Sequence, residues 1–389
     1  MIDVSRARAD TPGCQSVAHL NNAGAALPPQ PVLDAVVSHL ELEARMGGYE
    51  AAAQAAGAVE RPYGALAELL VCSASEIAVV ESATRAWQAA FLSVPLQPGD
   101  RVLTSAAEYG SNYLQLLHSA VRQGVSVEVV ADDDSGQVSV DAVAAALDER
   151  VKLVAVTHVP TGGGLVNPVA AVGRLAREAG ALYLLDACQS VGQFPIDVDE
   201  VGCDFLTATS RKYLRGPRGV GLLYARAATA GRLEPGLPDL RSAVWEAPDR
   251  YRFHDGARRF EAWEMPVAAK VGLGVAVDYA LAWGMADIWA RVRELGEQLR
   301  AALGELPGVS VHDLGVERCG IVTFSVEGHD AEEVRRSLAA ASVNVSVAEA
   351  GSARLDFDRR HLQAVVRASV HYYNTEEEVE RLVGALAPP

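Results

Sequence analysis

The sequence predicts an α/β fold in which a mostly parallel sheet carries helices on both faces. Short apolar runs alternate with helical segments of about a dozen residues, and this alternation is typical of βαβ units. Of the 389 residues, 50% are hydrophobic, which is enough for a large core and predicts two domains.

The elements of the first part follow from apolar periodicity and from the Gly and Pro residues that interrupt it. Gly47 and Gly48 end the first long helix, and the Pro98-Gly99 turn precedes a strand. The predicted strands cover residues 77–80, 101–104, 126–130, 153–157, 182–186, 205–209 and 220–224. The predicted helices cover residues 31–46, 51–70, 85–92, 113–123, 139–148 and 167–179.

The second part predicts a smaller α/β unit. Residues 237–264 are rich in Arg, Trp and Pro and read as an irregular loop, and residues 267–306 read as one long helical region. The strands predicted after it cover 309–312, 321–326, 343–347 and 365–371, with helices at 331–341 and 375–386. We predict a large domain at 20–258 and a small C-terminal domain formed by 259–389 together with 1–19.

Charge and cysteine usage exclude several classes of protein. A net charge of −16 argues against nucleic acid as a partner, because neutralising phosphates needs a basic surface. No apolar run reaches the length of a membrane-spanning helix, and the N-terminus lacks the apolar segment of a signal peptide. The scattered cysteines include no CxxC pair, which predicts a reducing cytoplasm and no metal site: Cys14, Cys72, Cys188, Cys203 and Cys319.

The lysines are few enough to be compared one by one. Lys152 leads into a strand, and Lys270 lies in a helical run. Lys212 alone lies between the end of a buried strand and a glycine-rich turn. If the protein forms an imine through a lysine, Lys212 is the candidate.

A carboxylate occupies the matching place on a neighbouring strand. Asp186 ends the strand at 182–186, and ligands of such sheets bind beyond the carboxyl ends of the strands. We predict that Lys212 carries pyridoxal phosphate as a Schiff base and that Asp186 pairs with its ring nitrogen. From spacing alone, Asp186 could equally cap a helix or close a turn. Gln189 could contact the ring hydroxyl or be a surface residue.

A phosphate would need backbone N–H groups at a helix N-terminus. Ser82, Ala83 and Thr84 lie between a strand and a helix and have that form, although any capped helix looks similar. Thr209 and Arg211 flank Lys212 and could add a hydroxyl group and a cation.

These residues belong to a larger pattern. The stretch DACQSVGQFPIDVDEVGCDFLTATSRKYLRGPRGVGLLYAR resembles the D-x-x-Q, S-x-H-K and G-P-x-G-x-G block of class V aminotransferase-fold enzymes. That group includes cysteine desulfurases, selenocysteine lyases, kynureninase and isopenicillin N epimerase-like proteins. The resemblance runs from LNNAGAA to VVRASVHYYNTEEEVERL, nearly the whole chain, and implies the pyridoxal phosphate-dependent transferase fold of type I.

The resemblance also implies roles for individual residues. Tyr109 stands where a histidine usually stacks on the cofactor ring, and Thr161 replaces an asparagine near the ring hydroxyl. Arg367 matches the arginine that binds the substrate α-carboxylate. The full set implied for the cofactor is Ala83, Thr84, Tyr109, Thr161, Asp186, Gln189, Thr209, Arg211 and Lys212; for the substrate it is Asn22 and Arg367.

Two departures from the desulfurase pattern bear on the reaction. The loop VNVSVAEAGSARLDFDRRH contains no cysteine to accept sulfur, and Cys188 and Cys319 lie in apolar runs and read as core thiols. Trp263 and Glu264 replace a Gly-Thr turn, which makes this segment similar to the subgroup with the ergothioneine-pathway C–S lyase and related natural-product enzymes. Those enzymes act on cysteine whose sulfur already carries a bulky group.

The sequence therefore predicts a pyridoxal phosphate-dependent C–S lyase that acts on an S-substituted L-cysteine or its sulfoxide. Decarboxylation with oxidative deamination of a cysteine conjugate, transamination and epimerisation stay open, because they differ only in which Cα bond breaks. A regulator or binding module is a different class of alternative. We expect a homodimer with sites at the interface, and Trp245, Arg258 and Trp263 are candidates to reach the partner.

Overall fold

The structure is a computed structural model, and it describes residues 1–386. Its strands, in chain order, are β1 (Ala18–His19), β2 (Ile77–Val80), β3 (Arg101–Thr104), β4 (Ser126–Val129), β5 (Val151–Thr157), β6 (Leu182–Asp186), β7 (Phe205–Thr209), β8 (Gly221–Ala225), β9 (Ala243–Ala247), β10 (Arg250–Phe253), β11 (Val309–Val311), β12 (Ile321–Val326), β13 (Val343–Asn344), β14 (Ser346–Glu349) and β15 (Ala364–Ser369).

Helices lie between most of these strands. They are α1 (Val4–Ala9), α2 (Asn22–Ala25), α3 (Gln30–Met46), α4 (Gly48–Gln54), α5 (Ala56–Leu70), α6 (Ala83–Ser93), α7 (Gly110–Gln123), α8 (Val140–Ala146), α9 (Val169–Glu178), α10 (Val198–Val201), α11 (Ala227–Ala230), α12 (Val267–Trp283), α13 (Met285–Gly304), α14 (Ala331–Ala340), α15 (Arg354–Arg359) and α16 (Glu376–Leu386).

A seven-stranded sheet forms the centre, in the order β2-β8-β7-β6-β5-β3-β4. Only β8 runs antiparallel to its neighbours, β2 and β7, so the predicted α/β fold with a mostly parallel sheet is confirmed. Successive side chains of β6 enter different cores: Tyr183 and Leu185 pack on one face and Leu184 on the other. Each buried side chain of this size contributes about 1.5–3 kcal/mol relative to exposure.

A second sheet has four antiparallel strands in the order β11-β12-β15-β14. Its core includes Val322, Phe324 and Val366 together with Leu295 and Leu299 of α13. The short strand β1 pairs in parallel with β13, which brings the N-terminal segment against this part of the chain. The division of the chain at 258/259 stays a prediction.

The structure differs from the predicted elements in several places. The helix expected at 51–70 is divided into α4 and α5, and the strand expected at 343–347 is two strands, β13 and β14, that belong to different sheets. The helical region expected at 267–306 is two helices, because Gly284 takes a positive φ of 83° and the chain bends there by 80°. The loop expected at 237–264 contains the hairpin of β9 and β10. Most side chains of both hairpin strands are exposed, so no apolar alternation marks them in the sequence.

The strand ends decide where chemistry can take place. Thr104, Thr157, Asp186 and Thr209 each end a parallel strand at the same edge of the central sheet. Such an edge is where ligands of open α/β sheets bind.

Within residues 1–386, no single helix is both long and apolar enough to cross a membrane; only the bent pair α12 and α13 reaches that length and composition together.

Candidate active site

A cavity of about 170 Å³ opens at this edge of the sheet. Every residue predicted to contact the cofactor lines it: Ala83, Thr84, Tyr109, Thr161, Asp186, Gln189, Thr209, Arg211 and Lys212. Ser82, proposed with Ala83 and Thr84 for the phosphate turn, also lines it. The sequence did not point to the other lining residues: Glu81, Thr157, Val159, Cys188, Arg218, Gly219 and Val220. The fold therefore brings together groups from five strand ends and the loops that follow them.

The Asp186 carboxylate is buried and held from two sides. Its Oδ2 accepts a hydrogen bond from Nδ2 of Asn112, at 2.8 Å, and its Oδ1 accepts one from the backbone N–H of Cys188, at 2.9 Å. Because Asp186 ends β6 and the next residues turn back over the sheet edge, the carboxylate stays at the floor of the cavity.

Lys212 extends from a closed loop between β7 and β8. The backbone of Ser210 bonds to that of Val220 and Gly216, at 3.2 and 2.8 Å, which closes the loop at its base. Burial lowers the pKa of the Lys212 amine, and the guanidinium groups of Arg211 and Arg367 lower it further, whereas Cys188 and Asp186 raise it. A lowered pKa increases the neutral fraction of the amine, the form that acts as a nucleophile or base.

Arg215, three residues later, anchors this loop and was missed in the sequence. Its left-handed backbone, φ 59°, is unusual for a residue with a side chain. The buried guanidinium donates to the Leu27 carbonyl at 2.9 Å, to Tyr372 Oη at 2.7 Å and to Thr11 Oγ1 at 2.5 Å. It thus ties the Lys212 loop to both ends of the chain.

One end of the cavity is the N-terminus of α6. Ser82 caps this helix by accepting a hydrogen bond from the Arg85 N–H, and the N–H groups of Ala83 and Thr84 have no carbonyl partner within the helix. Gly221 permits the close fit of β8, because a Cβ there would lie 2.4 Å from the Ser82 carbonyl carbon. The result is a turn of free N–H groups, which suits a phosphate.

Two guanidinium groups lie at the same end. Arg211 lines the cavity and donates to the carbonyl of Gly24, and burial and the nearby charge of Arg218 lower its pKa. Among residues 1–386, neither arginine forms an ion pair with a carboxylate. The positive charge of these two groups is therefore available to an anion in the cavity. The sequence offered a signal for Arg218, because it lies in the GPRG turn that follows Lys212.

Arg367 does not itself line the cavity but contacts Thr161, which does. Its Nη1 donates to Thr161 Oγ1 at 2.6 Å and to the Thr161 carbonyl at 3.2 Å. Its Nε is buried and has no acceptor in the described part of the chain. Burial lowers the Arg367 pKa to about 10, so the group stays charged at neutral pH.

Tyr109 lies where α7 begins, with its backbone N–H donating to the Glu108 carboxylate at 2.9 Å. The tyrosine side chain lines the cavity and remains 37% exposed, so a flat ligand could stack on it. Gly110 allows the segment at Gly351 to approach, because a Cβ at Gly110 would lie 2.9 Å from the Gly351 carbonyl oxygen.

Asn22 is not brought to the cavity. Its side chain is fully buried, and its Nδ2 donates to the carbonyls of His19 and Ser369, at 3.1 and 2.7 Å. Its Oδ1 accepts from Tyr373 Oη. The amide has no free group for a substrate, so the predicted substrate contact of Asn22 has no support in this geometry.

Cys188 and Cys319, both predicted to be core thiols, lie in different surroundings. Cys319 is buried in the core, as predicted, but the prediction was wrong for Cys188, which lines the cavity between Asp186 and Gln189. The sequence contained a signal for this location, because Asp186 and Gln189, which lie on either side of Cys188 in the chain, were already assigned to the site. Burial and the charge of Asp186 raise the pKa of the Cys188 thiol well above its ordinary value, although Lys212 opposes this.

The residues present fit pyridoxal phosphate. The cavity combines an amine, a buried carboxylate, an aromatic side chain and a helix N-terminus with an unpaired guanidinium, which are the groups this cofactor requires. Gln189 supports the fit, because its Nε2 donates to the Ala23 carbonyl at 3.2 Å while its buried Oε1 has no partner among residues 1–386.

Known proteins resemble the chain along nearly its full length. The aminotransferase class-V family model matches residues 18–382. A probable cysteine desulfurase of Methanothermobacter thermautotrophicus is 30% identical over 381 residues, covering 96% of this chain and 95% of its own. The probable cysteine desulfurase 2 of Mycobacterium leprae is 31% identical over 406 residues, with coverages of 99% and 96%.

Solved structures show the same fold. A cysteine desulfurase from Thermococcus onnurineus superposes with a TM-score of 0.92 at 26% identity, over 99% of this chain and 98% of that one. The cystine C–S lyase C-DES, in complex with cysteine persulfide, superposes with a TM-score of 0.87 at 22% identity, over 97% of this chain and 100% of that one. The chain therefore belongs to the class V aminotransferases, a family of pyridoxal phosphate-dependent enzymes of fold type I.

Proposed function

We propose that the protein is a C–S lyase that acts on L-cysteine whose sulfur carries a substituent, or on the corresponding sulfoxide. The relatives named above are cysteine desulfurases, so cleavage of a C–S bond is the reaction that this chain most resembles. The observation that carries the choice of substrate is the absence of a usable thiol beside the cavity.

The segment that faces the cavity from the small sheet contains no cysteine. It packs on the site at two glycines: Gly110 meets the carbonyls of Gly351 and Ser352, and a Cβ on Gly162 would lie 2.6 Å from the Phe357 ring. The segment contacts these glycines through Gly351, Ser352, Asp356 and Phe357, so it places no thiol at these contacts to take up sulfur.

Cys188 does not replace such a thiol. It lines the cavity floor, but its raised pKa leaves almost no thiolate at neutral pH, and the thiolate is the nucleophilic form. A sulfur atom that cannot be passed to the protein must leave together with its own substituent. This favours a thioether, disulfide or sulfoxide over free cysteine.

The residues around the cavity would have distinct roles in the reaction. Bound pyridoxal phosphate supplies an electron sink for negative charge at the substrate Cα. Asp186 would face the ring nitrogen, and Lys212 would anchor the cofactor and remove the Cα proton once its amine is released. The Cβ–S bond would then break with its electron pair leaving on sulfur, as a thiolate from a thioether, a persulfide from a disulfide or a sulfenate from a sulfoxide, each of which takes up a proton. Hydrolysis of the remaining three-carbon fragment would yield pyruvate and ammonia.

Arg367 would orient the substrate. A buried guanidinium without a carboxylate partner is costly, and an α-carboxylate would relieve that cost through two parallel hydrogen bonds. Thr161 holds one edge of the guanidinium group and leaves the Nε edge free.

The test is to incubate the enzyme loaded with pyridoxal phosphate with S-methyl-, S-benzyl- and sulfoxide derivatives of L-cysteine, with cystine, and with free cysteine. We expect pyruvate, ammonia and the released sulfur compound from the substituted substrates, measured by mass spectrometry. Lys212→Ala should abolish turnover, whereas Lys152→Ala, which removes an exposed lysine, should not.

Other products would contradict this proposal and would identify a different reaction. Alanine from free cysteine with a persulfide on the protein would identify a desulfurase. Loss of CO2 would identify the decarboxylating reaction, a D-amino acid the epimerase, and an oxo acid that retains sulfur the aminotransferase.

We also propose a homodimer. Leu33, Val37 and Leu40 lie along α3 with 43–51% of their surfaces exposed, and Tyr49 and Trp263 beside them are 77% and 56% exposed. An apolar patch of this kind indicates an interface. Leu40, Tyr49 and Trp263 also line one surface cleft, which could accept a side chain of a second copy.

Two of the residues expected to reach the partner remain candidates. Trp245 is 70% exposed on the hairpin, and Trp263 lies in the patch. Arg258 already has partners in its own chain, since it pairs with Glu60 at 2.5 Å and lies over the Tyr63 ring at 3.8 Å. The five free cysteines agree with a reducing compartment, which we propose is the cytoplasm.

Light scattering after gel filtration tests the dimer. Leu40→Glu should produce a monomer, whereas Val316→Glu, at an isolated residue that is 84% exposed, should not. A monomeric wild-type protein at micromolar concentration would contradict the proposal.

A further inference from the structure

A second buried carboxylate lies behind Asp186. Asn112 of α7 divides its amide hydrogens between two acids, donating to Asp186 Oδ2 at 2.8 Å and to Glu108 Oε1 at 2.9 Å. All three side chains are at most 4% exposed. One amide group therefore links the carboxylate on the cavity floor to another that does not line the cavity.

Glu108 is held by neutral donors from three elements. Its Oε1 also accepts from Thr157 Oγ1 at 2.5 Å and from the Tyr109 backbone N–H at 2.9 Å, and its Oε2 accepts from Thr104 Oγ1 at 3.3 Å. No cation pairs with it in the described part of the chain. A buried charge without a counter-ion is destabilising, so folding alone gives no reason for a carboxylate here.

The position of Glu108 connects the two groups that would face the cofactor ring. Through Asn112 it restrains the Asp186 carboxylate, and through the backbone N–H of Tyr109 it restrains the start of α7, from which the Tyr109 side chain enters the cavity. A change at Glu108 would therefore be transmitted to the floor of the cavity and to its aromatic side.

We propose that Glu108 and Asn112 are positioning residues for the ring-nitrogen contact of Asp186. Asn112 keeps the carboxylate aimed into the cavity, and the charge of Glu108 makes the potential at the ring nitrogen more negative, which favours its protonated form. The proposal rests on the proposed cofactor role of Asp186 and does not depend on which Cα bond is broken.

The titration of Glu108 agrees with this role. Burial and the charge of Asp186 raise the Glu108 pKa to about 7, against the lowering effect of the hydrogen bonds from Thr157 and Asn112. The other titratable groups that face the pair are Tyr183, whose burial raises its pKa well above 10, and Lys212 and Cys188 on the far side of Asp186. A positive ring nitrogen would favour ionised Glu108 over its protonated form.

The test uses Glu108→Gln, which keeps the shape and removes the charge, and Asn112→Ala, which breaks the link. The dissociation constant for pyridoxal phosphate and the pH midpoint of its visible absorbance are measured for each variant. Both variants should bind the cofactor about tenfold more weakly, the effect of one pKa unit of coupling, and Glu108→Gln should move the absorbance midpoint to lower pH.

A control separates this role from a structural one. Glu378→Gln alters a buried carboxylate that pairs with Arg8 and Asn374 away from the cavity, and it should lower thermal stability without changing the cofactor titration. The cofactor-free form of Glu108→Gln should be at least as stable as the wild type, because a buried charge is gone. An unchanged dissociation constant and absorbance midpoint in Glu108→Gln would overturn the proposal, as would a loss of stability with an unchanged titration.

Discussion

Gly192 lies directly against the backbone of Tyr213, the residue after Lys212. A Cβ at Gly192 would lie 2.5 Å from the Tyr213 carbonyl carbon and 2.6 Å from the Leu214 nitrogen, and Gly192 has a φ of +87°. The loop that follows Asp186 and the loop that carries Lys212 are therefore in backbone contact, and only glycine permits this spacing.

Gly192→Ala should destabilise the protein and weaken cofactor binding. The clash involves backbone atoms that cannot move without displacing Lys212, so we expect a loss of roughly 2–5 kcal/mol in the free energy of unfolding. Urea denaturation measures the stability, and visible absorbance measures the cofactor content. Gly180→Ala is the matched control, because Gly180 has a φ of +71° but nothing within 4 Å of its Cβ position. Equal losses in the two variants would contradict the role of the contact.

Cys188→Ser should keep the lyase activity within about a factor of three, because a thiol with a pKa well above its ordinary value is a poor nucleophile. The measurement is the rate of pyruvate formation from an S-alkyl cysteine, together with the mass of the protein after turnover. A persulfide on Cys188, or a loss of activity by two orders of magnitude with the cofactor still bound, would identify the thiol as a participant.

Arg367→Lys should lower kcat/KM mainly through KM. Lysine keeps a positive charge but cannot make two parallel hydrogen bonds, and the loss of one charged bond costs roughly 2 kcal/mol, about thirtyfold. Steady-state kinetics measure the change, and the absorbance of the bound cofactor should stay as in the wild type. The control is Arg354→Lys at an exposed arginine on α15. A fall in kcat with an unchanged KM would contradict the role of Arg367 in binding the substrate carboxylate.

Lys270 makes stability depend on pH. It is 1% exposed, and burial lowers its pKa to about 8, against the charges of Glu261 and Glu60. Between pH 8 and the ordinary lysine pKa of about 10.4, the unfolded chain binds more protons than the folded one, so the contribution of Lys270 to stability rises with pH.

The free energy of unfolding of Lys270→Met should therefore exceed that of the wild type by about 1–2 kcal/mol at pH 7, after the lost hydrogen bond to Tyr63 is counted. This difference in stability should shrink toward pH 10. Urea denaturation at each pH measures the difference. Lys152→Met, at an exposed lysine, should show no such trend. A difference that is constant from pH 7 to 10 would show that Lys270 is not the titrating group.

The site could be anticipated where its residues lie close together in the chain. Asp186, Gln189, Thr209 and Lys212 fall within one block of strands and turns, and all of them line the cavity. Asn112 could not be found in this way, because it contacts Asp186 across 74 positions and its helix shows only an amphipathic pattern. The burial of Asn22 was hidden for the same reason, since its partners include Ser369, 347 positions away.

The amino-acid sequence alone was enough to predict the α/β alternation, to choose Lys212 among three lysines and to recognise the block of residues that resembles the family. These features depend on local periodicity, on turn residues and on the spacing of neighbouring strand ends. The three-dimensional packing was needed to show that Cys188 faces the cavity, that Glu108 lies behind Asp186 and that Gly284 breaks the long helix. The reason is physical: burial and the pKa of a group depend on residues that the fold brings near from distant parts of the chain.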